Sequence, residues 1–130
     1  MWTMHKLKVL IVDDNTQFLK AARSLIAALP CVARIECANS GAEALAQLDR
    51  YQPELVLTDI VMPDMSGFEL IRQLCARDAP PRVMALTLHE GPEYRAAVLR
   101  SGAEDLVPKH EFAKMAPDLF ASIARVASAP

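Results

Sequence analysis

The feature that most restricts this chain is an alternation: short apolar runs, each followed by a stretch with helical spacing. Leu7–Val12 reads LKVLIV and breaks off in Asp13-Asp14, the pattern of a strand buried on both faces. Asn15 is a good N-cap for the helix that follows, whose apolar positions Phe18, Leu19, Ala22, Leu25, Ile26 and Leu29 precede a stop at Pro30. Val32–Cys37 is expected as a second strand. Ser40 and Glu43 form a capping box opening a helix to about Tyr51. A third strand, Glu54–Ile60, leads to a second capping box, Ser66 with Glu69, and a helix ending near Asp78 before Pro80-Pro81. Arg82–Thr87 is a fourth strand, and Gly91-Pro92 starts a helix that runs to Ser101-Gly102. Asp105–Pro108 is a short fifth strand. Phe112, Met115, Leu119, Ile123 and Val126 are expected on the buried face of a last helix, with Ala127–Pro130 as a frayed tail.

Five strands alternating with five helices predict an α/β fold, a single doubly wound (βα)5 domain around a five-stranded parallel sheet. The expected domain is 1–130, with its core over about 7–126 and no output domain in this chain. Fourteen Lys and Arg against sixteen Asp and Glu give a net charge of −2, and no basic run exists, so direct contact with nucleic acid is not expected. No run of eighteen apolar residues exists to span a membrane, and Met1–Lys8 lacks the apolar core of a secretory signal. Cys31, Cys37 and Cys75 are odd in number and form no C-x-x-C, which fits reduced thiols and a cytoplasmic protein.

In such a sheet the carboxyl ends of the strands share one edge, and ligands bind there. Strand one ends in Asp13-Asp14, strand three carries Asp59, strand four ends in Thr87 and strand five is followed by Lys109, whereas strand two delivers only Cys37. The order 2-1-3-4-5 makes the four contributing strands contiguous and converges these residues on one pocket. Three carboxylates there repel, so at least one pKa should be raised. A hard divalent cation such as Mg²⁺ relieves that repulsion, and with a lysine and a hydroxyl it suits a phosphoryl group.

Asp13-Asp14-Asn15 after LIV, LTDIVMPDMSGFEL around Asp59, Thr87 after VMAL and Lys109 after LVP are separated by 45, 28 and 22 residues, counting from Asp14. Together they resemble response regulator receiver domains, the CheY-like family, over roughly Leu7 to Val126. The resemblance implies Asp59 as phosphoacceptor, with Asp14, Asp59 and the Val61 backbone carbonyl holding Mg²⁺ and Asp13 acting through water. It implies Lys109 contacting the phosphoryl group, Thr87 hydrogen-bonding it, and Met62-Pro63 with Gly67 shaping the loop behind the acceptor. The implied partner is a sensor histidine kinase or phosphotransfer protein.

Three positions depart from the family pattern, and two more lie where the family varies. Leu88 stands where a small residue is usual and is expected to narrow the pocket entrance. Leu106 stands where many members carry a switching aromatic. Pro108 precedes Lys109 rather than following it, so a trans Val107-Pro108 bond is expected. Val61, with His89, lies where the family tunes the lifetime of the acyl phosphate, and an apolar Val61 predicts slow autodephosphorylation.

Other functions fit less well. Only Gly41, Gly67, Gly91 and Gly102 are present, none in a phosphate-binding loop, and no D-x-D follows strand one, so no enzyme is expected beyond self-phosphorylation and dephosphorylation. His5, His89 and His110 share no metal-ligand spacing. Met62, Met65, Met84 and Met115 read as packing or loop residues. Tyr94, Ala97 and Val98 with Leu106 are candidates for a surface that changes on phosphorylation. Two alternatives stay open: a degenerate receiver acting as a phosphorylation-independent interaction module, and the receiver fragment of a LuxR-type DNA-binding regulator, suggested by YRAAVLRSGAEDLVPK. A homodimer through helix four, strand five and helix five, or through helices one and five, also stays open.

Overall fold

The computed structural model describes residues 6–89 and 91–128, with side chains described as far as Arg125. Its elements are β1 (Leu7–Val12), α1 (Thr16–Ala27), β2 (Val32–Ala38), α2 (Gly41–Tyr51), β3 (Leu55–Asp59), α3 (Gly67–Cys75), β4 (Arg82–Thr87), α4 (Pro92–Ser101), β5 (Asp105–Pro108) and α5 (Phe112–Ser128). A 3-10 turn, Lys109–Glu111, joins β5 to α5. The strands lie in the order β2-β1-β3-β4-β5, every pairing parallel. The element sequence is the one the alternation predicts, and the strand order is the one that makes the four strands with polar ends contiguous.

Strand periodicity divides the core between two faces. Leu7, Val9 and Ile11 point to the side covered by α1 and α5, where Ile26, Phe112 and Phe120 meet Leu55 and Leu57. Leu10 and Val12 point to the other side, where Leu48, Leu70, Ile71, Leu74 and Val98 of α2, α3 and α4 pack with Val56 and Val83. Every residue of β3 is buried, as a strand covered on both faces requires.

Asn15, Ser40 and Ser66 cap their helices, each side chain accepting from the amide three residues on. The reciprocal half of each box takes another form: the Glu43 carboxylate turns to Gln47, and Glu69 to Arg72 and Gln73. The first amides of α2 are taken instead by Asp64 of the β3–α3 loop, at 3.2 Å from Gly41 N and 3.0 Å from Ala42 N. These bonds hold the exposed Asp64 carboxyl below the usual carboxylate range.

Several boundaries move. β2 extends to Ala38, whose carbonyl accepts from the Asp13 amide. β3 is shorter than expected at both ends, and α3 stops at Cys75, because Arg77 closes a tighter turn onto Leu74 before the extended approach to Pro80. The buried face of α5 is Phe112, Ala116, Phe120, Ile123 and Ala124, while Met115 is 38% exposed and Leu119 only partly buried. Small Ala116 and Ala124 let the helix approach the sheet along that row, which turns Met115 outward. The Val126 side chain lies outside the described residues, as do His5 and Ala129-Pro130. α5 continues through Ala127 to Ser128, where a frayed tail was expected. Among the described residues all peptide bonds are trans, Val107-Pro108 included, and no helix is long and apolar enough to cross a membrane.

Candidate functional site

β1, β3, β4 and β5 bring their carboxyl ends to one crevice. Asp13 follows β1 and is wholly buried, its Oδ1 accepting from the Asn15 amide at 3.0 Å. Asp14 beside it is exposed. Asp59 closes β3, 7% exposed, with Oδ1 accepting from the Ile60 amide at 2.8 Å and lying 3.5 Å from the Val61 amide. Behind it, Thr58 donates its hydroxyl to the Asp59 carbonyl at 2.9 Å. Gly67, at the start of α3, presses so close that a Cβ there would stand 2.2 Å from the Asp59 carbonyl oxygen and 2.4 Å from Ile60 Cα. Only glycine allows α3 to begin against the strand end that carries Asp59.

Lys109 is the first residue of the 3-10 turn after β5. Its Nζ lies 2.6 Å from Asp13 Oδ2 and 3.4 Å from Asp59 Oδ2, with the side chain 9% exposed. The two carboxylates, far apart in sequence, therefore share one ammonium. Pairing of Asp59 with Leu86 and of Thr87 with Pro108 sets Thr87 one residue past Asp59's neighbour and abreast of the residue before Lys109. Thr87 is fully buried, and its Oγ1 accepts from the His89 amide at 2.8 Å, which leaves the hydroxyl hydrogen available to a further acceptor.

The Asp59 carboxyl is pushed above the ordinary aspartate value chiefly by burial. Lys109 opposes the rise and the Asp13 charge adds to it. Repulsion among carboxylates, the cause expected from sequence, is thus secondary to desolvation. Oxygen atoms of Asp13, Asp14 and Asp59 all lie within 4.8 Å of one another. Asp13 Oδ2 is buried with the Lys109 ammonium as its charged neighbour and has no other polar partner among the described residues. A compact set of hard oxygen donors carrying excess negative charge fits a small divalent cation.

A sequence profile of the response regulator receiver domain matches residues 9–118. The chain belongs to the response regulator receiver domain family. The transcriptional regulatory protein DegU of Brevibacillus brevis is 29% identical to this receiver over 105 residues, 81% of this chain and 44% of DegU. The chain thus spans less than half the length of that relative. The 14.6 kDa protein of the sodA1 3′ region in Leptolyngbya boryana is 35% identical over 112 residues, 84% of this chain and 83% of that protein. In fold, the RcsB response regulator of Salmonella typhimurium superposes with a TM-score of 0.83 at 23% identity, covering 92% of this chain and 60% of RcsB.

Against the receiver pattern, the departures take definite positions. Leu88 is 71% exposed and Val61 55% exposed, so both stand out into solvent rather than filling the crevice. Leu106 is buried and packs in the core cluster of Val98, Ala103 and Tyr94. Val98 therefore belongs to the core and not to a surface that could change. His89 stacks on Tyr94, ring centroids 5.2 Å apart and planes 19° apart. Met62 and Met84 are buried, as packing residues should be.

Two contributors escaped sequence reasoning. Phe18 presents its ring 4.8 Å from the Lys109 ammonium, and Asp64 fastens the loop after Asp59 to α2. The first was encoded in the position of Phe18, three residues past the N-cap in the first turn of α1, where a side chain leans back toward the strand end.

Proposed function

We propose that this receiver accepts a phosphoryl group on Asp59 from the phosphohistidine of a sensor histidine kinase or phosphotransfer protein, and that the modification alters partner binding. The observation that carries the reading is Lys109 bridging the buried carboxylates of Asp13 and Asp59. A carboxylate oxygen of Asp59 attacks phosphorus, an O–P bond forms as the N–P bond breaks, and the departing imidazole takes up a proton. Lys109 sits where its charge can neutralise the phosphoryl oxygens, and Thr87 has a hydrogen to donate to them. Asp14, Asp59 and the Val61 carbonyl would hold Mg²⁺, with Asp13 acting through water; the ion would supply further charge neutralisation at the phosphoryl group. The setting is the cytoplasm, the domain is 1–130, and its own phosphorylation and dephosphorylation are the only reactions proposed for it. The likeness to DegU supports a place in a transcriptional regulator, which the length of the native reading frame tests.

Incubation with Mg²⁺ and a phosphodonor should give acid-labile, hydroxylamine-sensitive phosphate on the wild-type chain and none on Asp59→Asn. If efficient kinases also leave no phosphate on the wild type, the domain is an interaction module independent of phosphorylation.

A further inference from the structure

One aromatic ring touches Lys109 both at its ammonium and through the turn that carries it. The ammonium stands 4.8 Å from the Phe18 centroid. Three residues after the lysine, Phe112 sets its ring against the same Phe18, centroids 6.3 Å apart and planes tilted by 51°. Phe112 then meets Phe120 edge-on at 6.4 Å. Phe18 is fixed by the turn that delivers the acidic pair: its amide donates to Asn15 Oδ1, and the Asn15 amide donates to Asp13 Oδ1. The ring and the carboxylates are therefore parts of one local structure.

An ammonium has three N–H directions. Asp13 and Asp59 occupy two sides, at 2.6 Å and 3.4 Å, and the phenyl face covers another that water would otherwise solvate. The negative face of the ring attracts the cation without offering a lone pair to compete with an oxygen ligand. It stabilises the lysine in the crevice yet leaves its hydrogen bonds for carboxylate or phosphoryl oxygens. A leucine would fill the same space and supply no such field.

Resting on the reading of Asp59 as acceptor, we propose that Phe18 is a positioning residue for phosphoryl transfer, its π face keeping the Lys109 ammonium turned toward Asp13 and Asp59. Phe112 completes the device by tying that ring to the segment that carries the lysine.

The test uses the full chain, acetyl phosphate and Mg²⁺, with wild type and Asp59→Asn as references. Phe18→Leu should slow phosphorylation about 3- to 30-fold, the range of a partly desolvated cation–π contact, while Phe18→Tyr stays within about twofold of wild type. Magnesium affinity measured by calorimetry should be the same in all three. Replacing Phe18 by 4-fluoro- and 3,4,5-trifluorophenylalanine keeps the ring's shape and drains its negative face, so the logarithm of the rate should fall stepwise. A folded Phe18→Leu that phosphorylates at the wild-type rate, or a flat fluorinated series, overturns the proposal. If the wild type takes no phosphate from acetyl phosphate or from an efficient kinase, the acceptor reading fails, and ring placement is judged separately by NMR. The Lys109 ε-proton resonances should lie upfield in wild type and move downfield in Phe18→Leu; their failure to move overturns the contact itself.

Discussion

The Tyr51 hydroxyl lies 2.9 Å from the Val9 carbonyl and 2.8 Å from the Arg34 carbonyl, oxygens of adjacent strands β1 and β2, and it has one hydrogen to share between them. Burial pushes its pKa up to about 12. Phenylalanine at this position should cost about 1 kcal/mol at neutral pH, measured by urea denaturation, because buried carbonyls lose their donor. The folded protein holds the phenol proton more tightly than the unfolded chain, which releases it near the ordinary value of 10.0. The advantage of wild type over Tyr51→Phe is therefore complete below pH 10 and shrinks as pH rises toward 12. Val61 provides a second test at this scale. Its exposed isopropyl group cannot orient an attacking water, so the aspartyl phosphate should decay slowly, and Val61→Asn should decay several-fold faster; equal decay rates would discard that account. The convergence of Asp13, Asp59 and Lys109 was legible because a carboxylate within an apolar strand is costly without partners and the strand ends share one edge. Phe18 was not, since its spacing also satisfies ordinary core packing, and its contact with Lys109 depends on a turn 91 residues away.

Among elements, the junction of β3 with α3 leaves no room for a side chain at Gly67. Gly67→Ala would drive a methyl group into the Asp59 carbonyl and the Ile60 backbone. A loss of about 1–3 kcal/mol is expected from overpacking alone, read as a lower denaturation midpoint, together with slower phosphorylation as the strand end shifts. A variant of unchanged stability and rate would show that the helix can retreat freely. Element order was readable because apolar runs and helical spacing alternate without interruption. The face of α5 was only partly legible: Phe112 and Ile123 are buried as expected, but Phe120 with Ala116 and Ala124 lies against the core in place of Met115 and Leu119. The 3-10 turn Lys109-His110-Glu111 carries no apolar period, so nothing in the pattern announced it.

At the level of the whole molecule, the sheet order follows from chemistry as much as from packing: only with β2 outermost do the four strands bearing polar ends lie side by side. The same order sets a gradient of stability. All of β3 is buried, whereas only Ile35 and Ala38 are buried in β2. Amide exchange in β3 should therefore be slower than in β2 by on the order of tenfold or more, since a margin opens locally while the centre needs global unfolding. Uniform exchange across the sheet would contradict that gradient. The margins have one more consequence. β2 presents the charged pair Arg34 and Glu36, and β5 is four residues long and ends in Pro108, which has no amide hydrogen to offer. Charge on one flank and a missing donor on the other both work against growth of the sheet by an added strand.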